Sequence, residues 1–267
     1  MQVRINKAIA DLGICSRRKA EELILSGQVK LNGKVVRELS TQVDLDIDEI
    51  EVGKQNHRKQ PHSPQKKESF YYVALHKPLD YVSSVSSQQG HSILELLTYG
   101  NATTKRDKDA YKALLGPKSQ DKNITLADKI RLYPVGRLDK DSEGLILLTN
   151  DGDLTNKMTH PRFEHEKEYE LQLDSRLSKQ AIKVLEHGMD IGEGEYAKGI
   201  RILKESAVGR RYIVHVILQE GKNRQIRRMF GRLGYKVLSL KRTRFGKFKL
   251  GTLPVGRWKF IQKKSLL

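Results

Sequence analysis

The sequence predicts an α+β protein, with a small α/β module in front of a larger mixed domain, and three observations predict it. Residues 3–52 carry two helix-spaced apolar stretches and then a hairpin signal. The remainder alternates strand-like and helix-like segments, although spacing alone leaves the order of its strands open. The stretch from Gly221 to Leu267 holds fifteen Lys and Arg and no Asp or Glu, yet is interleaved with Ile226, Met229, Phe230, Leu233, Phe245, Phe248 and Trp258. A disordered tail needs no such apolar anchors, so this run is read as a folded surface facing a polyanion.

In the first module, Ile5, Ile9 and Leu12 recur at helical spacing, with Gly13 placed to end the helix. Ser16 stands at an N-cap position before a second helix over residues 17–25, stopped by Ser26-Gly27. Asn32-Gly33 between Val29-Lys30-Leu31 and Lys34-Val35-Val36 is a hairpin turn signal. Arg17, Arg18 and Lys19 fill the first turn of the second helix, where the dipole disfavours cations and favours a phosphate. Such a placement is sensible if a polyanion normally sits there. The stretches Cys15-Ser16-Arg17-Arg18-Lys19-Ala20-Glu21 and Gly27-Gln28-Val29-Lys30-Leu31-Asn32-Gly33-Lys34 resemble the S4-type RNA-binding domain. The resemblance covers nearly all of residues 3–52 and adds Lys30 and Lys34 to the expected RNA contacts.

Residues 53–69 have linker composition, rich in Gly, Gln, His, Lys, Pro and Ser. Strands are expected over residues 70–75, 145–149, 169–173 and 212–218, and helices over 178–187 and 223–233. Residues 100–128 are polar, with an apolar island at Ala113-Leu114-Leu115, and are read as a surface insertion, partly helical.

The whole chain of 267 residues has a net charge of +18, 37% hydrophobic residues and one cysteine. No apolar run spans a bilayer, and the first residues lack a signal-peptide core. Cys15 has no spaced Cys or His around it to complete a metal site. A soluble, cytoplasmic, metal-free nucleic-acid-binding protein is the expectation.

Chemistry concentrates in Tyr133-Pro134-Val135-Gly136-Arg137-Leu138-Asp139-Lys140-Asp141-Ser142-Glu143-Gly144, just before the apolar run Leu145-Ile146-Leu147-Leu148-Thr149. A glycine-bearing loop against a buried strand suits an active site. Composition alone does not choose among Asp139, Asp141 and Glu143, all of which could be solvated loop residues.

Gly136-Arg137-Leu138-Asp139 with Ser142-Glu143-Gly144-Leu145, then Lys167-Glu168-Tyr169-Glu170-Leu171, then Gly221-Lys222-Asn223-Arg224-Gln225-Ile226-Arg227-Arg228-Met229, resemble the ordered motifs of the RsuA-type pseudouridine synthases. The resemblance covers residues 3–52 and about 71–260. It implies a mixed, mainly antiparallel sheet with a central cleft over residues 70–262. It also implies isomerisation of uridine to pseudouridine in ribosomal RNA, with no cofactor. Lys140-Asp141-Ser142 favours large-subunit RNA slightly.

Carried over by position, Asp139 is the catalytic aspartate, Tyr169 the tyrosine that packs on the base, and Arg227 the basic partner of Asp139. An adjacent guanidinium would favour the ionised carboxylate. On a helical projection Ile226, Met229, Phe230 and Leu233 form an apolar stripe with Arg227 at its edge, while Arg224, Arg228 and Arg232 face phosphates. Asn223, Gln225, Lys241, Arg242 and Arg244 complete the expected RNA face, and Arg137 would hold the flipped nucleotide or the loop. Ribosomal RNA, free or in a subunit precursor, is the expected partner of a monomer.

His76-Lys77-Pro78-Leu79-Asp80-Tyr81-Val82 departs from the family pattern, which usually has Asn-Lys-Pro and a glycine where Asp80 stands. The interval 100–128 is longer than typical, and the tail beyond Phe260 is short. The competing reading is a non-catalytic RNA-binding or ribosome-assembly protein, which has no need of Asp139. An RNA hydrolase would show a His or metal-carboxylate cluster, whereas the eight histidines are scattered.

Overall fold

The computed structural model describes residues 2–12, 14–53, 55–57, 69–84 and 90–267, with the backbone alone described for 55–57. The expected cap at Gly13 and most of the 53–69 linker lie outside the described residues. The chain divides into two compact units, Met1–Ser69 and Phe70–Leu267.

The first unit runs β1 (Gln2–Arg4), α1 (Ile5–Asp11), α2 (Arg17–Leu25), β2 (Val29–Leu31), β3 (Lys34–Val36), β4 (Gln42–Asp44), β5 (Ile50–Val52) and β6 (Gln55–His57). Ser16 caps α2 by accepting from the Lys19 amide at 3.1 Å. Asn32 at φ 49° and Gly33 at φ 79° close the β2–β3 hairpin in the double left-handed geometry of its turn signal. Ile5, Ile9, Ile24, Val29, Val43 and Ile50 are fully buried together as the core.

The second unit is built on a nine-stranded sheet. Its elements are β7 (Tyr72–Lys77), α3 (Lys105–Leu115), β8 (Tyr133–Val135), β9 (Glu143–Thr149), α4 (Gly152–Thr159), β10 (Lys167–Leu173), α5 (Lys179–His187), β11 (Gly188–Asp190), β12 (Tyr196–Lys198), β13 (Arg201–Val208), β14 (Arg211–Leu218), α6 (Gln225–Arg232), β15 (Val237–Phe245), β16 (Phe248–Lys249) and β17 (Trp258–Phe260). The sheet order is β13-β14-β10-β15-β9-β7-β17, with β8 on β9 and β16 on β15. All of its ladders are antiparallel except β15 with β9, which joins the two halves through Lys241↔Glu143 and Arg242↔Gly144. The mixed, mainly antiparallel sheet of an α+β fold is therefore present.

Strand β9 reads as a continuous apolar run because both of its faces are covered. Ile146 and Leu148 pack with Leu75, Tyr111 and Trp258, while Leu145 and Leu147 pack with Phe245 and Leu253. Strand β10 alternates instead: Tyr169, Leu171 and Leu173 face the core shared with Ile226, Met229 and Phe230 of α6, and Glu168, Glu170 and Gln172 face outward.

Residues 100–128 correct the expectation of a surface insertion. The Tyr111 ring is buried between Tyr99 and Trp258, with ring centroids 5.9 and 6.2 Å away, and its hydroxyl donates to the Ile124 carbonyl at 2.5 Å. Tyr111, Leu115 and Leu126 belong to the same core as β7 and β9. Apart from the short island Ala113-Leu114-Leu115, the apolar residues of this segment are scattered among polar ones, so no long run announces that it is core.

At the central seam, Gly144 has φ 109°, and a Cβ there would lie 2.4 Å from the Arg242 carbonyl oxygen and 2.5 Å from its amide nitrogen. Neither backbone atom can yield without opening the seam. Gly144→Ala is expected to cost at least about 3 kcal/mol, from the left-handed φ and the overlap together. Urea unfolding measures this, and a loss below about 1 kcal/mol would show that the seam is pliable.

Candidate active site

The loop between β8 and β9 is clamped from several sides. Ser83 Oγ accepts from the Leu138 amide at 3.0 Å and donates to the Leu138 carbonyl at 2.7 Å. Lys77, at the end of β7, is fully buried, and its ammonium donates to the carbonyls of Pro78 at 2.9 Å, Lys140 at 3.3 Å and Ser142 at 2.6 Å. The Asp80 amide donates to the Lys140 carbonyl at 2.9 Å, and the Ser142 amide to the Asp139 carbonyl at 3.1 Å. Neither Lys77 nor Ser83 was marked as a site residue by sequence reasoning. The available signal for Lys77 was an ammonium terminating the apolar run Tyr72-Val73-Ala74-Leu75.

The departures in residues 76–82 have local explanations. Asp80 stands at φ 67°, the left-handed conformation that favours glycine, so it occupies the backbone shape expected at that position. Buried His76 has Nδ1 2.7 Å from the Leu253 carbonyl, to which it donates, and burial pushes its imidazole below the ordinary range.

Asp139 lies on this clamped loop with about a third of its side chain exposed, at 32%, and Arg224 Nη1 is 3.9 Å from its Oδ2. Among the described residues no hydrogen bond reaches its carboxylate. Its neighbour Leu138 packs in the same core as Tyr169, which sits on β10 opposite Val216 and Arg242. The sheet and loop thus bring Asp139 and Tyr169 to one region of the fold.

Arg227 comes to this region too, but its expected pairing with Asp139 is not the one it makes. Its Nη2 donates to the Asp141 carbonyl at 2.6 Å, its Nη1 to the Val237 carbonyl at 3.0 Å, and its Nε lies 3.3 Å from Asp141 Oδ2. Arg224 grips the same carboxylate in a two-pronged fork, at 3.0 and 2.8 Å. That fork holds the Asp141 carboxyl below the usual carboxylate range. Arg224 can reach it because its backbone is left-handed, at φ 48°, so α6 begins at Gln225 rather than at Asn223. Asp141, two residues beyond Asp139, captures both guanidiniums.

Several expected RNA contacts are turned inward or spent on internal partners. Gln225 is 3% exposed, accepting from the Lys222 amide and donating to Glu220. Arg242 is 1% exposed, its Nε donating to the Leu145 carbonyl. Arg228 donates to the Ile191 and Gly192 carbonyls and pairs with Glu195, while Arg232 pairs with Asp190. Arg244 bridges Glu166 and Glu168, Lys19 pairs with Glu22, and Lys30 with Glu51. Asn223 is exposed, and its carbonyl accepts from Arg228. Among the described residues Arg17, Arg18, Lys34, Arg137 and Lys241 make no ion pair. No group of three His, Cys, Asp or Glu able to hold a metal occurs among the described residues, and no helix there is long and apolar enough to cross a membrane.

Comparison with known proteins gives a consistent picture. The family described as RNA pseudouridylate synthase matches residues 71–231, and the S4 domain matches residues 3–47. An uncharacterized RNA pseudouridine synthase of Aquifex aeolicus is 35% identical over 270 residues, covering 100% of this chain and 93% of that protein. Ribosomal large subunit pseudouridine synthase B of Bacillus subtilis is 36% identical over 255 residues, covering 95% and 89%. The dual-specificity RNA pseudouridine synthase RluF of Escherichia coli is 32% identical over 265 residues, covering 99% and 77%. A crystal structure of a pseudouridylate synthase superposes with a TM-score of 0.60 at 26% identity, covering 99% of this chain and 98% of that one.

Burial pushes the Lys77 ammonium down to about 8 from its ordinary 10.5, a penalty on the charged form of about 3 kcal/mol. Its three carbonyl contacts offset a similar amount. Lys77→Met is therefore expected to change global stability by less than about 2 kcal/mol, while the loop it holds loosens. Native-state hydrogen exchange at the Asp80 and Ser142 amides should speed up at least about tenfold. Unchanged protection at both amides would remove Lys77 from the role of loop clamp.

Proposed function

Because the chain belongs to the RNA pseudouridylate synthase family, with an S4 domain in front, we propose that it isomerises uridine to pseudouridine at a defined position in ribosomal RNA. Large-subunit RNA is the favoured substrate. The enzyme class follows from the family. The substrate is suggested by relatives in Bacillus subtilis and Escherichia coli, and by the cationic surface of an RNA-binding module.

The observation that carries the catalytic reading is the setting of Asp139. Its carboxylate is partly exposed and, among the described residues, accepts no hydrogen bond, yet it is fixed on a loop clamped by Lys77 and Ser83 whose Leu138 shares a core with Tyr169. A carboxylate that accepts no hydrogen bond among the described residues and sits on a rigid support is ready to act on a substrate.

The target uridine is flipped from its stack, at a cost of a few kcal/mol, and its uracil stacks on Tyr169. Asp139 then either attacks C1′ or takes the 2′ proton, and the C1′–N1 bond breaks. The uracil turns and C5 bonds to C1′, displacing the Asp139 ester in the first route or with Asp139 returning the proton to C2′ in the second; the C5 proton then leaves and N1 takes up a proton. Substrate and product are isomers, so no group or electron pair has to come from elsewhere. Arg227 is the proposed basic partner of Asp139 once RNA is bound, and Arg137 steadies the nucleotide. The acting unit is taken to be a cytoplasmic monomer.

Release of tritium from C5-labelled uridine in unmodified ribosomal RNA tests the reaction. Asp139→Asn should cut release at least about 10³-fold while RNA affinity stays within about threefold. No release by the wild type from either free RNA or immature ribosomal particles would leave the non-catalytic RNA-binding reading standing.

In the first unit, Arg17 and Arg18 have no acidic partner among the described residues and sit at the N-terminus of α2. Replacing both with Gln should weaken RNA binding about tenfold near 0.1 M salt and flatten the salt dependence by about one to two phosphate contacts. The rate at saturating RNA should not change. A fall in that saturating rate with affinity intact would contradict a pure binding role.

A further inference from the structure

Asp141 sits where a substrate phosphate fits. We propose that Arg224 and Arg227 form a phosphodiester site for the RNA substrate, and that Asp141 fills this site as an internal stand-in until RNA displaces its carboxylate. The proposal rests on the reading of Asp139 as the catalytic aspartate, and it adds a role for an acidic residue that the reaction itself does not use.

Three observations support it. The first is shape: Arg224 takes both Asp141 oxygens through Nη1 and Nη2, at 3.0 and 2.8 Å, and Arg227 Nε lies 3.3 Å from Oδ2. A guanidinium fork gripping two oxygens serves carboxylate and phosphate alike.

The second is accessibility. The Arg224 and Asp141 side chains are 44% and 47% exposed, so the ion pair itself is open to solvent, while Arg227, 15% exposed, backs the site from within through its Nε. An exposed ion pair between mobile side chains is weak and open to exchange.

The third is placement. Arg224 holds a left-handed backbone that disfavours non-glycine residues, and this sets its guanidinium over the loop at the head of α6. The same Nη1 that binds Asp141 is 3.9 Å from Asp139. A phosphate in the Asp141 position would therefore be flanked by the carboxylate that acts on a ribose, as the phosphate joined to that ribose has to be. The buried Arg227 Nε, which has no hydrogen-bond acceptor among the described residues, would gain one in a phosphate oxygen placed where Asp141 Oδ2 now lies.

Binding of in vitro transcribed ribosomal RNA over a range of salt, alongside tritium release by the wild type, tests the proposal. Asp141→Asn keeps the size of the side chain and removes the competing charge. It should tighten binding about three- to tenfold and steepen the dependence of log Kd on log salt by about 0.7, the increment for one more phosphate contact on a single strand. Arg224→Gln should weaken binding and flatten the slope by a similar amount. In the double variant, Asp141→Asn should no longer tighten binding. A gain that persists without Arg224 would reflect general charge and overturn the proposal, as would Asp141→Asn binding with wild-type affinity and slope. Should Asp141→Asn fail to fold, an unchanged salt slope in Arg224→Gln alone would overturn it. These readouts are equilibrium binding, so absence of tritium release by the wild type would count against the isomerase reading and not against the phosphate site.

Discussion

The second unit depends on a two-residue seam. Strands β15 and β9 run parallel for only Lys241↔Glu143 and Arg242↔Gly144, and every other ladder of the nine-stranded sheet lies to one side or the other of that join. The backbones come so close there that Gly144 has no room for a side chain. The seam places the loop bearing Asp139 at the end of β9, next to the end of β15 whose Val237 carbonyl holds Arg227. Tyr169 reaches the same region because β10 pairs with β15 on the other flank. The site exists because the two half-sheets meet at that register, and one buried ammonium, that of Lys77, ties the first half to the loop.

Charge distribution in the fold differs from charge distribution along the chain. The C-terminal stretch from Gly221 contains no acid of its own, yet Asp141, Glu166, Glu168, Asp190 and Glu195 come from other segments to pair with its arginines. The surplus cations able to meet a phosphate without breaking an internal pair include Arg17, Arg18 and Lys34 of the first unit, and Arg137 and Lys241 of the second. A polyanion surface inferred from a run of Lys and Arg therefore needs each cation checked against acids that sequence order hides.

Local signals were legible where a short-range cause sufficed. The Asn32-Gly33 turn, the Ser16 cap, the buried run of β9 and the alternation of β10 each follow from a few adjacent residues. Asp139 and Tyr169 became distinguishable only through their flanking motifs, because composition offers three acids in one loop. What stayed hidden was long-range. Tyr111 joins the core through Tyr99 and Trp258, and Arg227 is held by the carbonyls of Asp141 and Val237, both distant in the chain. Helical projection placed Arg227 at the edge of the apolar stripe but could not name its partner.

The non-local build of the site also constrains when it can exist. Among the described residues, the strand ladders of the first unit close within the first 57 residues, while most of the chain is still unmade. The loop bearing Asp139 is different: the arginines that hold it lie 83 and 86 residues beyond Asp141, and its seam needs Arg242. Closing such long loops carries a large entropic cost before any contact repays it. During synthesis, then, the RNA-binding module is available well before the chemistry, and an unfinished chain has the means to hold RNA without the means to modify it.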